Sequence, residues 1–554
     1  MHTFSISSFP TSFFSKYIAN KYLALASVWL LFGCQEYTNT EDQSTTMNQR
    51  TVETYQGVIA GVSSERMPEI AVFRGIPYAA PPVDEKRWQP PHSPKPWEGV
   101  RDGSKFGPAC PQPTGQEEFV WSRDDFATAE DCLYLNIWSA GTTHLKPVMV
   151  WFHGGAHTAG KAHDLIFDGT TLAAAGVVLV SVNYRLGPLG FLAHPLLADE
   201  SSHASSGNYG LLDKIAALNW VRDNIAQFGG DPANVTIFGQ SAGSQSVCSL
   251  MTSPLARGMF HKAIGQSASC LNPQSSRDLN GQDRGRALVD ALEGDGSLAS
   301  MRAASPEQLL AAATTSGWAS QSRIVVDGWV LPQNPSEIFA TGGQAQIPIM
   351  IGSLGNEGNE LFPMNAALTI GELEQSLSRM FNTQHIEQLK RLYAQQLNQS
   401  PGFAQREINT DLFMAYGMRR WARLHQAIQQ TAYLYFMDHN PPAFRLYNPG
   451  NPDLQLPEGP RSQGAYHSGD LAYVFGNTRL VGHDWEDTDH ALSDTIVGYW
   501  TNFAKHGDPN GEGLPEWPQY GTEAHETQLF TTEAHTTNGV RQEVLDLFEN
   551  ALGH

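Results

Sequence analysis

Gly239-Gln-Ser241-Ala-Gly243 sets a serine between two glycines, directly after Val235-Thr-Ile-Phe238. The β-branched and aromatic run reads as a buried strand, and the residues after Gly243 are compatible with a helix. A serine on a sharp strand-to-helix turn is the arrangement of a nucleophile elbow. Side chains at 239 and 243 would collide with the neighbouring strand and helix. The helix N-terminus would also point backbone N–H groups at an oxyanion forming beside Ser241. The chemistry these parts serve is acyl transfer. It needs a base for the serine proton, a carboxylate to orient the base, and donors for the oxyanion. Five-residue matches of this kind are common by chance. Taken alone, a glycine-rich turn without chemistry accounts for this one equally well.

Elements that could position such a serine lie on both sides of it. Residues 54–75 hold alternating strand-like runs. Glu130–Trp138, Pro147–Phe152 and Val177–Tyr184 read as strands, the second running into His153-Gly-Gly-Ala156. Leu211, Ile215, Leu218, Val221 and Ile225 recur at helical spacing across 211–228. Strands alternating with helices predict an α/β fold with a large, doubly wound, mostly parallel sheet and helices on both faces. In the second half, 347–352 and 432–437 are strand candidates. Helix-like stretches around 370–396 and 408–430 predict a helical cap or lid within 358–430. A final helix is expected over 494–505.

The chain has 554 residues, 41% hydrophobic and 16% charged, an ordinary globular composition. Its formal net charge of −21 argues against nucleic-acid binding and otherwise serves solubility. No cluster has metal-ligand spacing, and no cofactor is expected.

Residues 1–33 read as a targeting segment. Lys16 and Lys21 precede an apolar run, 22–33, too short to span a bilayer and the right length for a signal h-region. Leu31-Phe-Gly-Cys34 resembles a lipoprotein lipobox, which makes Cys34 the expected lipidated residue; an ordinary secretory signal cut elsewhere is the alternative. Residues 34–52 then form a polar tether, and 53–554 one catalytic domain. Contact with a membrane is expected only through the lipid. Export to the bacterial envelope, or secretion, makes disulfides plausible among Cys110, Cys132, Cys248 and Cys270.

Extended to Phe228-Gly-Gly-Asp-Pro-Ala-Asn-Val-Thr-Ile-Phe-Gly-Gln-Ser-Ala-Gly243, the elbow closely resembles the serine signature of type-B carboxylesterases, the family that includes cholinesterases and bacterial para-nitrobenzyl-esterase-like members. Glu130–Trp138 resembles that family's second signature. Phe73–Pro82, Asn183–Phe191, Val326–Pro332 and Gly507–Asn510 add to the likeness, which covers the chain from about residue 53. The resemblance implies an α/β-hydrolase fold and a triad in the order Ser241, Glu357, His467. The last two lie in Gly352-Ser-Leu-Gly-Asn-Glu357-Gly358 and Gly464-Ala-Tyr-His467-Ser-Gly-Asp470, each following a strand candidate, where an open α/β sheet builds its site. Read from the residues alone, Glu360 could replace Glu357, and Asp470 could pair with His467.

The resemblance further implies that His153-Gly-Gly-Ala156 is an oxyanion loop, with donors from Gly155, Ala156 and Ala242. It implies a Cys110–Cys132 disulfide closing a loop that contains Phe119, Trp121 and Phe126. Cys248 is expected as a small buried core residue, a bridge to Cys270 being possible. Gln240 stands where many relatives carry Glu. His157 stands where an aromatic is usual, close to the expected acyl pocket, and no role is assigned to it. Trp121 lies near the place where a cholinesterase-like relative stacks a tryptophan on a quaternary ammonium; packing is the commoner fate of such a residue.

The expected function is therefore hydrolysis of small carboxylic esters through an acyl-enzyme, with short neutral or aromatic esters preferred over choline esters. The alternatives are a lipase on longer glycerides, a cholinesterase-like enzyme, and a non-catalytic binding protein on the same fold. The last would typically lack the serine or its partners.

Overall fold

Along Pro147–Phe152 the side chains alternate between two dry faces. Val148, Val150 and Phe152 enter one apolar cluster, Met149 and Trp151 another, and all five are inaccessible to solvent. A strand buried on both faces belongs inside a sheet covered by helices on both sides. The computed structural model describes residues 50–113, 126–271, 281–318, 323–362, 364–442, 464–481 and 485–552. Its sheet begins with β1 (Arg50–Thr54), β2 (Gly57–Ser63), β3 (Ala71–Pro77), β4 (Val100–Asp102) and β5 (Tyr134–Ser139). The inner strands are β6 (Lys146–Phe152), β7 (Val178–Val182), β8 (Gly230–Gln240), β9 (Lys262–Gln266), β10 (Ile349–Leu354) and β11 (Ala432–Met437). β12 (Glu526–Phe530) and β13 (Ala534–Asn538) close the far edge.

The spatial order is β1-β2-β3-β5-β7-β6-β8-β9-β10-β11-β12-β13, with β4 beside β2. Pairing is parallel from β7 through β12 and antiparallel at both ends, apart from the parallel β2–β4 pair. The expected large, mostly parallel sheet is thus present, with antiparallel margins.

Helices cover both faces. α1 (Tyr209–Asn224) and α2 (Ala242–Leu250) pack Leu211, Leu218, Val221, Val247 and Leu250 on one side. α3 (Tyr416–Gln426) adds Met418 and Trp421 there. α4 (Asp487–His506) covers the other side with Leu492, Ile496, Trp500 and Phe503. α5 (Gln542–Leu552) joins a third cluster, formed with the helical region before α3.

Several expectations shift. β1 starts at Arg50, inside the stretch expected as tether. The helix expected over 370–396 is three pieces, Ile370–Leu377, Thr383–Leu392 and Ala394–Gln399, because the Asn382 side chain accepts from His385 N–H and starts a new helix. The second expected helix starts earlier, at Pro401, and passes through a π-turn at Asp411–Ala415 into α3. α4 starts at Asp487, and α5 follows what was expected as the last helix. The targeting segment, Cys34 and Trp121 lie outside the described residues. Among the described residues no helix is long and apolar enough to cross a membrane.

Cys110 and Cys132 are bonded, Cα atoms 5.0 Å apart. Cys248 is buried as expected, but it is not a free core thiol. It is bonded to Cys270, Cα atoms 5.5 Å apart, because the chain leaving β9 runs back alongside α2.

Candidate active site

Ser241 lies between β8 and α2 with φ +56° and ψ −123°, a strained conformation for a residue with a side chain. Its surroundings impose the flanking glycines. A Cβ on Gly243 would stand 1.9 Å from the Phe152 carbonyl oxygen, and one on Gly239 2.5 Å from the Gly243 carbonyl carbon. The first collision is with the neighbouring strand β6 and the second with α2, as the spacing predicts. Ser241 N–H donates to the Gln266 carbonyl at 2.8 Å, which ties the turn to β9.

β6 runs out into 153–160, where Gly155, Ala156 and His157 have φ of +89°, +52° and +59°. The His153 ring stacks on Tyr184 with centroids 4.4 Å apart, and Tyr184 Oη donates to the His153 carbonyl at 2.8 Å. Burial drives the His153 pKa down to about 3, so its ring is neutral. The Gly155 carbonyl accepts from Thr158 and Ala159 N–H at 2.9 and 3.0 Å, folding the loop back on itself. Among the described residues the N–H groups of Gly155 and Ala156 meet no protein acceptor. Ala242 is the first residue of α2, where an N–H has no partner within the helix. The loop lies against the elbow: a Cβ on Gly154 would come within 3.2 Å of Ser241 Cβ.

Glu357 follows β10, and His467 follows the connection that leaves β11. His467 Nδ1 donates to Glu357 Oε2 at 2.5 Å, and Leu354 N–H donates to Glu357 Oε1 at 2.7 Å. Glu357 is wholly buried and His467 nearly so. The two alternative carboxylates have other hydrogen-bond partners. Asp470 Oδ2 accepts from Gln266 Nε2 at 2.8 Å and from Tyr435 Oη at 3.2 Å, and burial lifts its carboxyl to about 6. Glu360 accepts from Ser468 Oγ at 3.3 Å, and burial pushes it up to about 8.

Burial alone would lower the His467 pKa. The Glu357 hydrogen bond and the charges of Glu357, Glu360 and Asp470 outweigh it and raise the value. Nε2, the other ring nitrogen, stands 3.1 Å from Gln240 Nε2. An amide nitrogen can only donate, so the ring carries its proton on Nδ1 and its Nε2 lone pair accepts from Gln240. That is the tautomer a base requires. The Ser241 hydroxyl makes no hydrogen bond to Nε2 among the described residues; such contacts commonly tighten only when substrate binds.

Sequence reasoning noted Gln240 only for its missing charge and did not find Gln266. Gln240 follows from its place beside Ser241. Gln266 has no local signal, because its role comes from the pairing of β9 with β8 and β10.

A carboxylesterase family model matches residues 48–548. The chain belongs to the carboxylesterase family. This carboxylesterase resembles the para-nitrobenzyl esterase of Bacillus subtilis (strain 168), at 33% identity over 515 residues covering 90% of this chain and 98% of the relative. It is also 33% identical to the fumonisin B1 esterase of Sphingopyxis macrogoltabida, over 84% of each chain. A solved PNB esterase superposes with a TM-score of 0.77 at 32% identity, over 90% of this chain and 99% of the other. A carboxylesterase of Geobacillus stearothermophilus gives 0.76 at 32%, over the same shares. The fold is therefore that of an α/β-hydrolase, and the carboxylesterase is a carboxylic ester hydrolase.

Proposed function

We propose that Ser241 is the nucleophile, His467 the general base and acid, and Glu357 the carboxylate that orients it. The observation that carries this is the Glu357–His467 Nδ1 hydrogen bond, which leaves the Nε2 lone pair beside the elbow. Nε2 takes the Ser241 proton as Oγ bonds to the ester carbonyl carbon, and the carbonyl electron pair moves to oxygen. The backbone N–H groups of Gly155, Ala156 and Ala242 receive that oxyanion. The tetrahedral centre collapses, His467 returns the proton to the alcohol as it leaves, and water repeats the cycle on the acyl-enzyme.

The substrates we propose are short neutral or aromatic carboxylic esters, a reading supported by the likeness to a para-nitrobenzyl esterase. The test combines variants with an ester panel. Ser241→Ala and His467→Ala should each lose nearly all activity, and the double variant little more, since the triad acts as a unit. A serine-directed phosphonate should label Ser241 in the parent. Full activity in folded Ser241→Ala would sink the assignment. Phenyl acetate should give a higher kcat/KM than acetylcholine or a long-chain glyceride; the reverse order would make the enzyme a cholinesterase or a lipase.

We also propose export by residues 1–33, lipidation at Cys34, and a single catalytic domain that begins with β1 at Arg50 and not at 53. The two disulfides support an oxidising compartment. Cys34→Ser should free the protein from membranes in a bacterial host, and unchanged fractionation would refute the anchor.

A further inference from the structure

His157 takes no part in these proton transfers, yet only 2% of it is exposed. Its ring packs against Phe191 with centroids 4.9 Å apart and meets Tyr184 edge-on at 6.3 Å. Its backbone is held from the other side, where Gly187 N–H donates to the His157 carbonyl at 2.7 Å. Nε2 of the ring lies 3.1 Å from Ser246 Oγ. Ser246 is wholly buried in α2, and its hydroxyl donates to the Ala242 carbonyl at 2.9 Å. A serine hydroxyl has one proton. With that proton on the Ala242 carbonyl, Ser246 Oγ accepts from the ring, the arrangement in which the imidazole proton sits on Nε2. Burial, helped by the charges of Lys214 and Arg323, holds the ring well below its ordinary pKa. It is therefore neutral, with one proton to give.

The bond joins two pieces of chain 89 residues apart. One is the loop with the N–H groups of Gly155 and Ala156. The other is α2, which begins with the N–H of Ala242 one turn before Ser246. An oxyanion gains from both sets only if they are held at hydrogen-bonding distance from one point. The loop side is intrinsically strained, since Ala156 and His157 both have left-handed φ without being glycine. We propose that the His157–Ser246 hydrogen bond fixes the oxyanion loop to the elbow helix, making His157 a positioning residue for the oxyanion donors. This rests on the oxyanion assignment above. A purely apolar aromatic at 157 could fill the same space but could not make the tie.

His157→Phe keeps the ring packing and deletes the donor; Ser246→Ala deletes the acceptor; His157→Gln restores an N–H donor of similar reach. Active sites are counted by phosphonate titration, so misfolded protein does not enter kcat. His157→Phe and Ser246→Ala should each lower kcat for phenyl acetate about tenfold, since displacement of about 1 Å at such a site can cost up to ~10² in rate. KM should stay within about twofold, the double variant should be no worse than either single one, and His157→Gln should recover most of the loss. An aryl trifluoromethyl ketone provides a second readout. Ser241 Oγ adds to its carbonyl carbon, the proton passes to His467 Nε2, and the carbonyl pair becomes an oxyanion. Its affinity should fall by the same factor as kcat. Unchanged kcat per titrated site in His157→Phe overturns the tie, as does a double variant whose losses multiply. Either result, in a protein whose Ser241→Ala form is inactive, leaves the triad assignment standing.

Discussion

At the scale of residues, the contact that sequence reasoning undervalued is Gln240 against His467 Nε2. An amide N–H donated to that nitrogen favours the neutral ring, and Glu357, Glu360 and Asp470 favour the charged one. The balance leaves the pKa above 6.5. With His467 in the proposed role of base, activity needs the neutral imidazole, so kcat/KM should fall on the acid side with a midpoint above pH 6.5. Gln240→Glu exchanges the donor for a carboxylate and stabilises the imidazolium. Its acid limb should move to higher pH, and activity near pH 6 should drop more than activity near pH 9. A limb that stays in place or moves down would remove Gln240 from the control of the base. Ser241 was legible because its motif is contiguous. Glu357 and His467 carry no local signal that sets them above Glu360 and Asp470. Only the family resemblance singled them out, and the 2.5 Å bond between them is a product of the fold.

At the scale of elements, long uniform runs were the legible ones. Ala432–Met437 is all apolar and stands as a strand with those bounds. β9 is Lys-Ala-Ile-Gly-Gln, too short and mixed to read, yet it lies between β8 and β10 and supplies the Gln266 contacts. The Cys248–Cys270 bond was equally hidden, because four cysteines permit three pairings and spacing does not choose among them. One long-range tie can be tested directly. Arg185 donates through Nε and Nη2 to Asp213 Oδ2 and Oδ1 at 2.9 and 2.7 Å, joining the segment after β7 to α1. Both side chains are almost wholly buried, at 3% and 0% exposure. Asp213→Ala leaves a buried guanidinium without its counter-charge and should cost about 3–5 kcal/mol in urea unfolding. A loss below about 1 kcal/mol would show that water reaches Arg185 and screens it.

At the scale of the whole molecule, the alternation of strand and helix announced a doubly wound sheet. It did not announce which strands would be neighbours, since β6 pairs with β7 and β8 while β5 reaches β7 from the other side. That order has a consequence in time. His467, the proposed base, and Gln240 beside Ser241 are 227 positions apart, and His467 lies in the chain beyond β10 and β11, which stand on the far side of β9 from β8. Contacts of such separation close late, because the loop entropy is lost before the pairing compensates for it. A chain still short of residue 467 lacks the proposed base, so the esterase is expected to stay silent until that residue has arrived. In refolding from denaturant with disulfides intact, hydrolysis should return more slowly than far-ultraviolet ellipticity. If the two recover together, the sheet assembles in one step and this ordering is wrong.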